Sequence, residues 1–250
     1  MSVQPDATKA LRLEEITTRW ETLSEPATFV MRYATAVRRY VSAIVRDEEA
    51  AEEVLQDFLI QVMSSGFKTL DRDRGRFRDY LKVLIRNAAI GRLRRTQAEA
   101  RQTRGARPLE TLHCPAVESE IDQEWRDQWR RSIMERAWGA LEEHQRKASG
   151  NLSFTVLWLV AQYPSDDSRS LARRAGALAG VPVEPDAFRK QLSRARRLFA
   201  KLLLREVAET LRDPTPQQVE EELAELGLMK YVQGFLPRNW RTTGALPRLS

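Results

Sequence analysis

The stretch from Ala51 to Arg95 decides how this chain is built. It opens A-E-E-V-L-Q-D-F at 51–58 and, after a Gly-containing link, continues R-G-R-F-R-D-Y-L-K-V-L-I-R-N-A-A-I-G-R-L-R-R at 74–95. Apolar residues recur at three-to-four spacing in both halves, first Ala51, Val54, Leu55, Phe58, Leu59 and Val62, then Phe77, Tyr80, Leu81, Leu84, Ile85 and Ala88. That period is the mark of two amphipathic helices. Between 47 and 57 the charges are Asp47, Glu48, Glu49, Glu52, Glu53 and Asp57, with no Lys or Arg. Between 86 and 107 they are Arg86, Arg92, Arg94, Arg95, Arg101, Arg104 and Arg107 against Glu99 alone. Acidic side chains near a helix N-terminus and basic ones near a C-terminus are favoured by the helix dipole, which accounts for part of each run. The arginines go past what a dipole calls for, and Arg suits phosphate better than Lys does. Neighbouring helices of opposite charge point to two partners, one protein and one nucleic acid.

Upstream, Ser24-Glu25-Pro26 can open a helix, with Val30, Tyr33, Val37, Val41 and Ile44 as its buried stripe. Residues 1–22 read as an N-terminal arm. Downstream, periodicity fades and Gly105, Pro108 and Pro115 interrupt the chain, so 99–122 reads as a flexible linker between two helical domains. Helix returns from about Ile121, with Trp125, Trp129, Ile133, Ala137 and Leu141 as a core stripe. Gly150-Asn151 breaks it, and Phe154 to Tyr163 is a short apolar helix stopped by Pro164-Ser165-Asp166-Asp167. Two segments then follow in the order of a helix-turn-helix. S-R-S-L-A-R-R-A-G-A-L-A-G at 168–180 turns Leu171, Ala175 and Leu178 inward, V-P-V-E-P links, and a second helix runs from about Asp186 to Leu211. That second helix carries Arg189, Lys190, Arg194, Arg196, Arg197, Lys201 and Arg205 with no acidic residue among them, in the place of a recognition helix. Thr215-Pro216-Gln217-Gln218 is a capping box for a short acidic helix at 219–227, and the remainder, with Trp240 and Pro247, reads as an irregular tail.

Composition agrees with an all-α, nucleic-acid-binding reading. The 250 residues are 42% hydrophobic and 30% charged, with formal net charge +6 and mean hydropathy -0.51. A basic balance fits an anionic partner. One cysteine, Cys114, and two histidines, His113 and His144, make neither a disulfide nor a common zinc site. No apolar run approaches the length that crosses a bilayer, and the opening M-S-V-Q-P-D-A-T-K has no signal-peptide pattern, so a cytoplasmic protein without membrane insertion is expected. No histidine pairs with a plausible nucleophile and no Gly-rich phosphate loop is present, so neither an enzyme nor a cofactor is expected.

On these motifs the chain resembles a bacterial RNA polymerase sigma factor of the extracytoplasmic-function type, in a divergent subgroup. A-E-E-V-L-Q-D-F is similar to the family's helix that binds the clamp helices of the largest polymerase subunit. F-R-D-Y-L-K-V-L-I-R-N-A-A-I-G-R-L-R-R at 77–95 is similar to the helix that melts and reads the −10 element, and L-S-R-A-R-R-L-F at 192–199 to the helix that reads the −35 element. The resemblance implies an N-terminal arm at 1–22, sigma region 2 at 23–98, a linker at 99–122, sigma region 4 at 123–212 and a C-terminal extension at 213–250. It implies core-polymerase contacts from Glu52, Glu53, Gln56 and Asp57. It implies −10 contacts from Phe67, Arg76, Tyr80, Arg86, Asn87, Arg94 and Arg95, with the connector 67–76 helping to hold a base out of its stack. It implies −35 contacts from Ala187, Arg189, Lys190, Gln191, Arg194 and Arg197. An anti-sigma factor is a further partner typical of the family. Gly91 stands where the family commonly has Asp, Tyr80 where it has Trp, and the turn from Gly180 to Arg194 is two residues longer than usual. The rival reading is a helix-turn-helix regulator that binds duplex DNA without polymerase.

Overall fold

A computed structural model describes residues 26–65, 76–104, 115–148, 150–211, 214–236 and 240–243. Every regular element among them is helical: α1 Pro26–Val45, α2 Glu48–Ser65, α3 Phe77–Arg104, α4 Pro115–Lys147, α5 Ser153–Gln162, α6 Ser168–Ala179, α7 Pro185–Ala208, α8 Pro216–Glu225, α9 Met229–Val232 and α10 Trp240–Thr243, with a 3₁₀ turn at Gln233–Phe235. Residues 1–25, which hold the proposed arm and the Ser24 cap, lie outside the described residues, as do 66–75 and 105–114.

The chain divides into two compact units. One comprises residues 16–132 with 209–214. In it α1, α2 and α3 pack through Tyr33, Val37, Tyr40, Val41, Val54, Phe58, Phe77, Leu81, Ile85 and Ala89, all buried. Asp47 caps α2 by accepting from the Ala50 N–H at 2.8 Å. The first half of α4 completes this core. Trp129 stacks on Tyr33 with ring centroids 4.6 Å apart, and Trp125 sits 4.9 Å from Tyr40. Ser132 Oγ donates to the Arg32 carbonyl at 3.1 Å, and Lys82 of α3 pairs with Asp122 at 2.7 Å. Glu209, buried, is held by Arg32 at 3.4 Å.

Residues 99–104 continue α3 and 115–122 begin α4, so both flanks of the 99–122 segment are helical. Trp125 and Trp129 pack with α1 and α3 instead of with the elements that follow them. Pro115, read as a breaker, is the first residue of α4, a position where its missing N–H costs nothing.

The second unit comprises the described residues of 133–208 and 215–250. Val156 and Leu159 of α5, Leu171, Ala172 and Ala175 of α6, and Phe188 and Ala195 of α7 make one apolar cluster. Trp138 joins the end of α4 to this layer, 5.7 Å from Phe154 and 5.0 Å from Phe199, and Arg136 pairs with Glu206 at 2.8 Å. The expected inward Leu178 is 63% exposed. It lies in the last turn of α6, beyond the reach of the trihelical core. The C-terminal segment is more ordered than a tail. Thr215 and Gln218 form the expected capping box on α8, and Val219, Leu223, Leu226, Leu228, Val232 and Trp240 are all buried.

Candidate nucleic-acid and protein interfaces

Three surfaces collect the residues singled out above. On α2 the apolar stripe faces the core, which turns Glu53, Gln56 and Asp57 outward and leaves Glu52 half-buried. Both glutamates are already engaged: Glu52 pairs with Arg38 of α1, and Glu53 with Arg92 of α3. The same outer face continues into two large apolar residues, Ile60 at 58% and Met63 at 56% exposure. They were missed because an apolar residue off the main stripe reads as noise. Their three-residue spacing, in register with Gln56 and Asp57, was the available signal.

On α3 the 3.6-residue period puts Tyr80, Val83, Asn87, Gly91 and Arg94 along one stripe. Val83, Asn87, Arg94 and Arg95 are exposed, and Arg76 and Tyr80 are half-buried. Neither Arg94 nor Arg95 pairs with a carboxylate among the described residues. Arg86 is set apart from this group. It is half-buried on the side where Tyr40 and Asp122 stand, and its charge partly offsets the upward push on the Tyr40 phenol. Burial first, then the Asp122 carboxylate, raises that phenol to about 12. The Tyr40 hydroxyl is buried without a hydrogen-bond partner among the described residues. Phe67, the remaining residue of the proposed −10 group, lies outside the described residues. A Cβ added at Gly91 would meet nothing within 4 Å, so no close approach inside the protein requires that glycine.

The α6–turn–α7 pair is built by its turn. Asp167 caps α6 through the Ser170 N–H at 2.8 Å, and that hydrogen bond holds its carboxyl below the usual range. Gly180 closes α6 in the left-handed region, at φ 69°, where glycine is favoured. Gly176 allows the turn to fold back, since a Cβ there would lie 2.9 Å from the Val181 carbonyl oxygen and 3.2 Å from the Val183 nitrogen. Arg174 lies over the Tyr163 ring at 4.0 Å and pairs with Asp166 at 2.9 Å.

From α7, Ala187, Lys190, Arg194 and Arg197 are exposed on one stripe. Arg189 is also exposed but lies off that stripe and pairs with Asp186. Gln191 is half-buried, with its Oε1 unpartnered among the described residues, beside a cavity of about 340 Å³ whose lining includes His144, Asn151, Ser153 and Arg194. Sequence reading passed over Arg169 and Arg173 of α6. Both are exposed, and both line a groove with Gly176 and the turn 180–185. Their spacing of four residues on the helix before the turn could have drawn attention to them.

The three surfaces present hydrogen-bond donors, cations and apolar side chains suited to binding. Among the described residues no group of three or more His, Cys, Asp or Glu is placed to hold a metal ion, and no helix is long and apolar enough to cross a membrane. Residues 29–99, which hold α2 and most of α1 and α3, match the family model described as Sigma-70 region 2. No curated protein and no solved structure matches the chain.

Proposed function

We propose, from the match of residues 29–99 to the Sigma-70 region 2 model, that this chain is a sigma-70-type RNA polymerase sigma factor, a two-domain initiation factor of the extracytoplasmic-function type. It binds core polymerase, selects a promoter and opens it, in the cytoplasm and without turning over a substrate. The observation that carries the reading is the pairing, inside the matched segment, of outward Gln56 and Asp57 on α2 with outward Asn87, Arg94 and Arg95 on α3.

In this reading α2 docks on the clamp helices of the largest subunit through Glu52, Glu53, Gln56 and Asp57, with Ile60 and Met63 adding apolar area. Complementary charge steers that encounter. The α3 stripe meets the −10 element, where a base leaves the stack and needs a wall and hydrogen-bond partners. Tyr80 and Asn87 suit those roles, and Arg94 and Arg95 suit the backbone. In the second unit the N-terminal half of α7 enters the major groove at the −35 element, as a recognition helix does. Ala187, Lys190 and Arg194 face the base edges. Arg197, Arg169 and Arg173 hold phosphates.

Transcription in vitro tests this reading. The protein is mixed with core polymerase on fragmented genomic DNA, and transcripts are mapped. Discrete starts that need both components are expected. Tight binding to duplex DNA by the protein alone, with no affinity for core, would make it a polymerase-independent regulator instead.

A further inference from the structure

The first turn of α7 arranges its charges differently from the rest of that helix. From 186 to 190 every side chain except the buried Phe188 is exposed. Pro185 opens the helix, and Asp186 is the acidic residue of its first turn. Side chains on a helix lean toward its N-terminus, so Arg189 reaches back over that turn. Its Nη2 donates to Asp186 Oδ1 in an ion pair. Arg194, Arg196 and Arg197, also exposed, form no ion pair with a described carboxylate. The helix dipole favours an acid at this end, but that alone does not set a carboxylate on a guanidinium. Stability does not account for the pair either. Arg189 and Asp186 are 55% and 77% exposed, and pairs in that setting contribute little. On a surface that only held phosphates, a carboxylate would be unfavourable, because it repels them.

We infer that Asp186 is a positioning residue that holds Arg189 to read a guanine in the major groove of the −35 element. This rests on the reading of α7 given above and narrows it from an interface to one base contact. Phosphate binding needs charge and tolerates many side-chain poses, whereas base reading needs a fixed pose. Asp186 offsets part of the Arg189 charge and restricts its rotamers. Both effects make Arg189 a poorer phosphate ligand and a better reader of a base. A guanidinium carries its N–H donors in a planar fork. With Nη2 set against Asp186, a free edge of the fork remains for the O6 and N7 acceptors that guanine presents in that groove. Arg196 and Arg197 have no described carboxylate to orient them and keep their full charge for the backbone.

The test uses the full-length protein with core polymerase on a promoter from which the two start transcription, carried as a library with its −35 element randomised. Transcripts are sequenced, and the base preference at each position is read as a ratio of yields. The wild type is expected to prefer guanine, on one strand, at one position. Arg189→Ala should reduce that preference by about ten-fold, the size of a bidentate arginine–guanine contact, and leave the other positions unchanged. Asp186→Ala should reduce it by about two- to five-fold at the same position. It should also raise the yield from disfavoured sequences, because a negative charge has left the DNA-facing turn. A loss of helix stability would move that yield the other way. Asp186→Glu, which can still reach an arginine three residues on, should keep the preference. Asp186→Ala should add nothing at that position once Arg189 is alanine. An even loss across all sequences from Arg189→Ala marks a phosphate contact and would overturn the inference. So would an effect of Asp186→Ala at a different position, or a wild type with no guanine preference in the −35 element. Where the wild type starts transcription with core and one of these results is obtained, only the Asp186–Arg189 assignment falls. If the wild type starts no transcription with core, the functional reading falls and the assignment falls with it.

Discussion

Single residues carry consequences that their types alone do not announce. Tyr40 reads as one more aromatic on a buried stripe. Its surroundings make it a buried hydroxyl without a described partner and with its ionisation pushed up to about 12. The folded protein keeps this proton at pH values where the unfolded chain has lost it. Its contribution to stability is therefore intact below the ordinary tyrosine value near 10 and is lost as pH rises toward 12, by up to about 2–3 kcal/mol. Tyr40→Phe is expected to be neutral or stabilising by about 1 kcal/mol near pH 7, since it removes a desolvated donor. It should also flatten the alkaline fall in stability, which urea unfolding across about pH 9 to 12 would measure. Gly91 is the converse case. The sequence shows a glycine in a helix interior, where a bend or close approach is the natural suspicion. The open space around it removes the steric half of that suspicion. Gly91→Ala should stabilise α3 by about 1 kcal/mol, and an unchanged or lower denaturation midpoint would show that the glycine has a role inside the fold.

At the scale of elements, proline was the residue most easily misread. Pro26, Pro115, Pro185 and Pro216 are each the first residue of a helix. At Pro216 the capping box made this legible, because Thr215 and Gln218 flank it with the right spacing. Pro115 has no such flank, and with Gly105 and Pro108 upstream it looked like one more breaker. The turn between α6 and α7 was legible as a turn, but its tightness was not. That tightness depends on the Gly176 Cα facing the backbone of Val181 and Val183, a contact between α6 and the turn that follows it. Gly176→Ala pushes a Cβ against rigid backbone and should cost about 1–3 kcal/mol. Because the displaced atoms lead into Pro185, on the proposed reading it should also weaken promoter binding by the complex with core polymerase beyond what the stability loss explains. Thermal melts and gel-shift titrations on the same variant would separate the two effects.

For the whole molecule, the main difference between expectation and structure concerns which unit owns the Trp stripe of α4. The five residues Trp125, Trp129, Ile133, Ala137 and Leu141 are all buried, as their spacing required. The first two are buried against α1 and α3, and the last three belong to the other unit. The consequence is measurable by hydrogen exchange. Trp129→Ala removes the ring stacked on Tyr33 and should cost about 3–5 kcal/mol. Amides of α1 and α3 should then exchange faster while those of α5 and α6 keep their protection. Equal loss in both sets would mean that the stripe acts as one body.

The sequence by itself determined the helices, the opposite charges of α2 and α3, the basic run of α7 and the order of motifs within the segment that matches Sigma-70 region 2. All of these are local, since period, capping and charge are written within a few turns of the residues concerned. Only the tertiary structure decided that α4 contributes to two units, that Gln191 and Arg86 turn away from the exposed stripes, that Trp240 is buried, and that Glu53 and Arg92 pair. Each of these depends on which surfaces meet across long stretches of chain. An amphipathic stripe states that it will be buried, and the packing partner decides where.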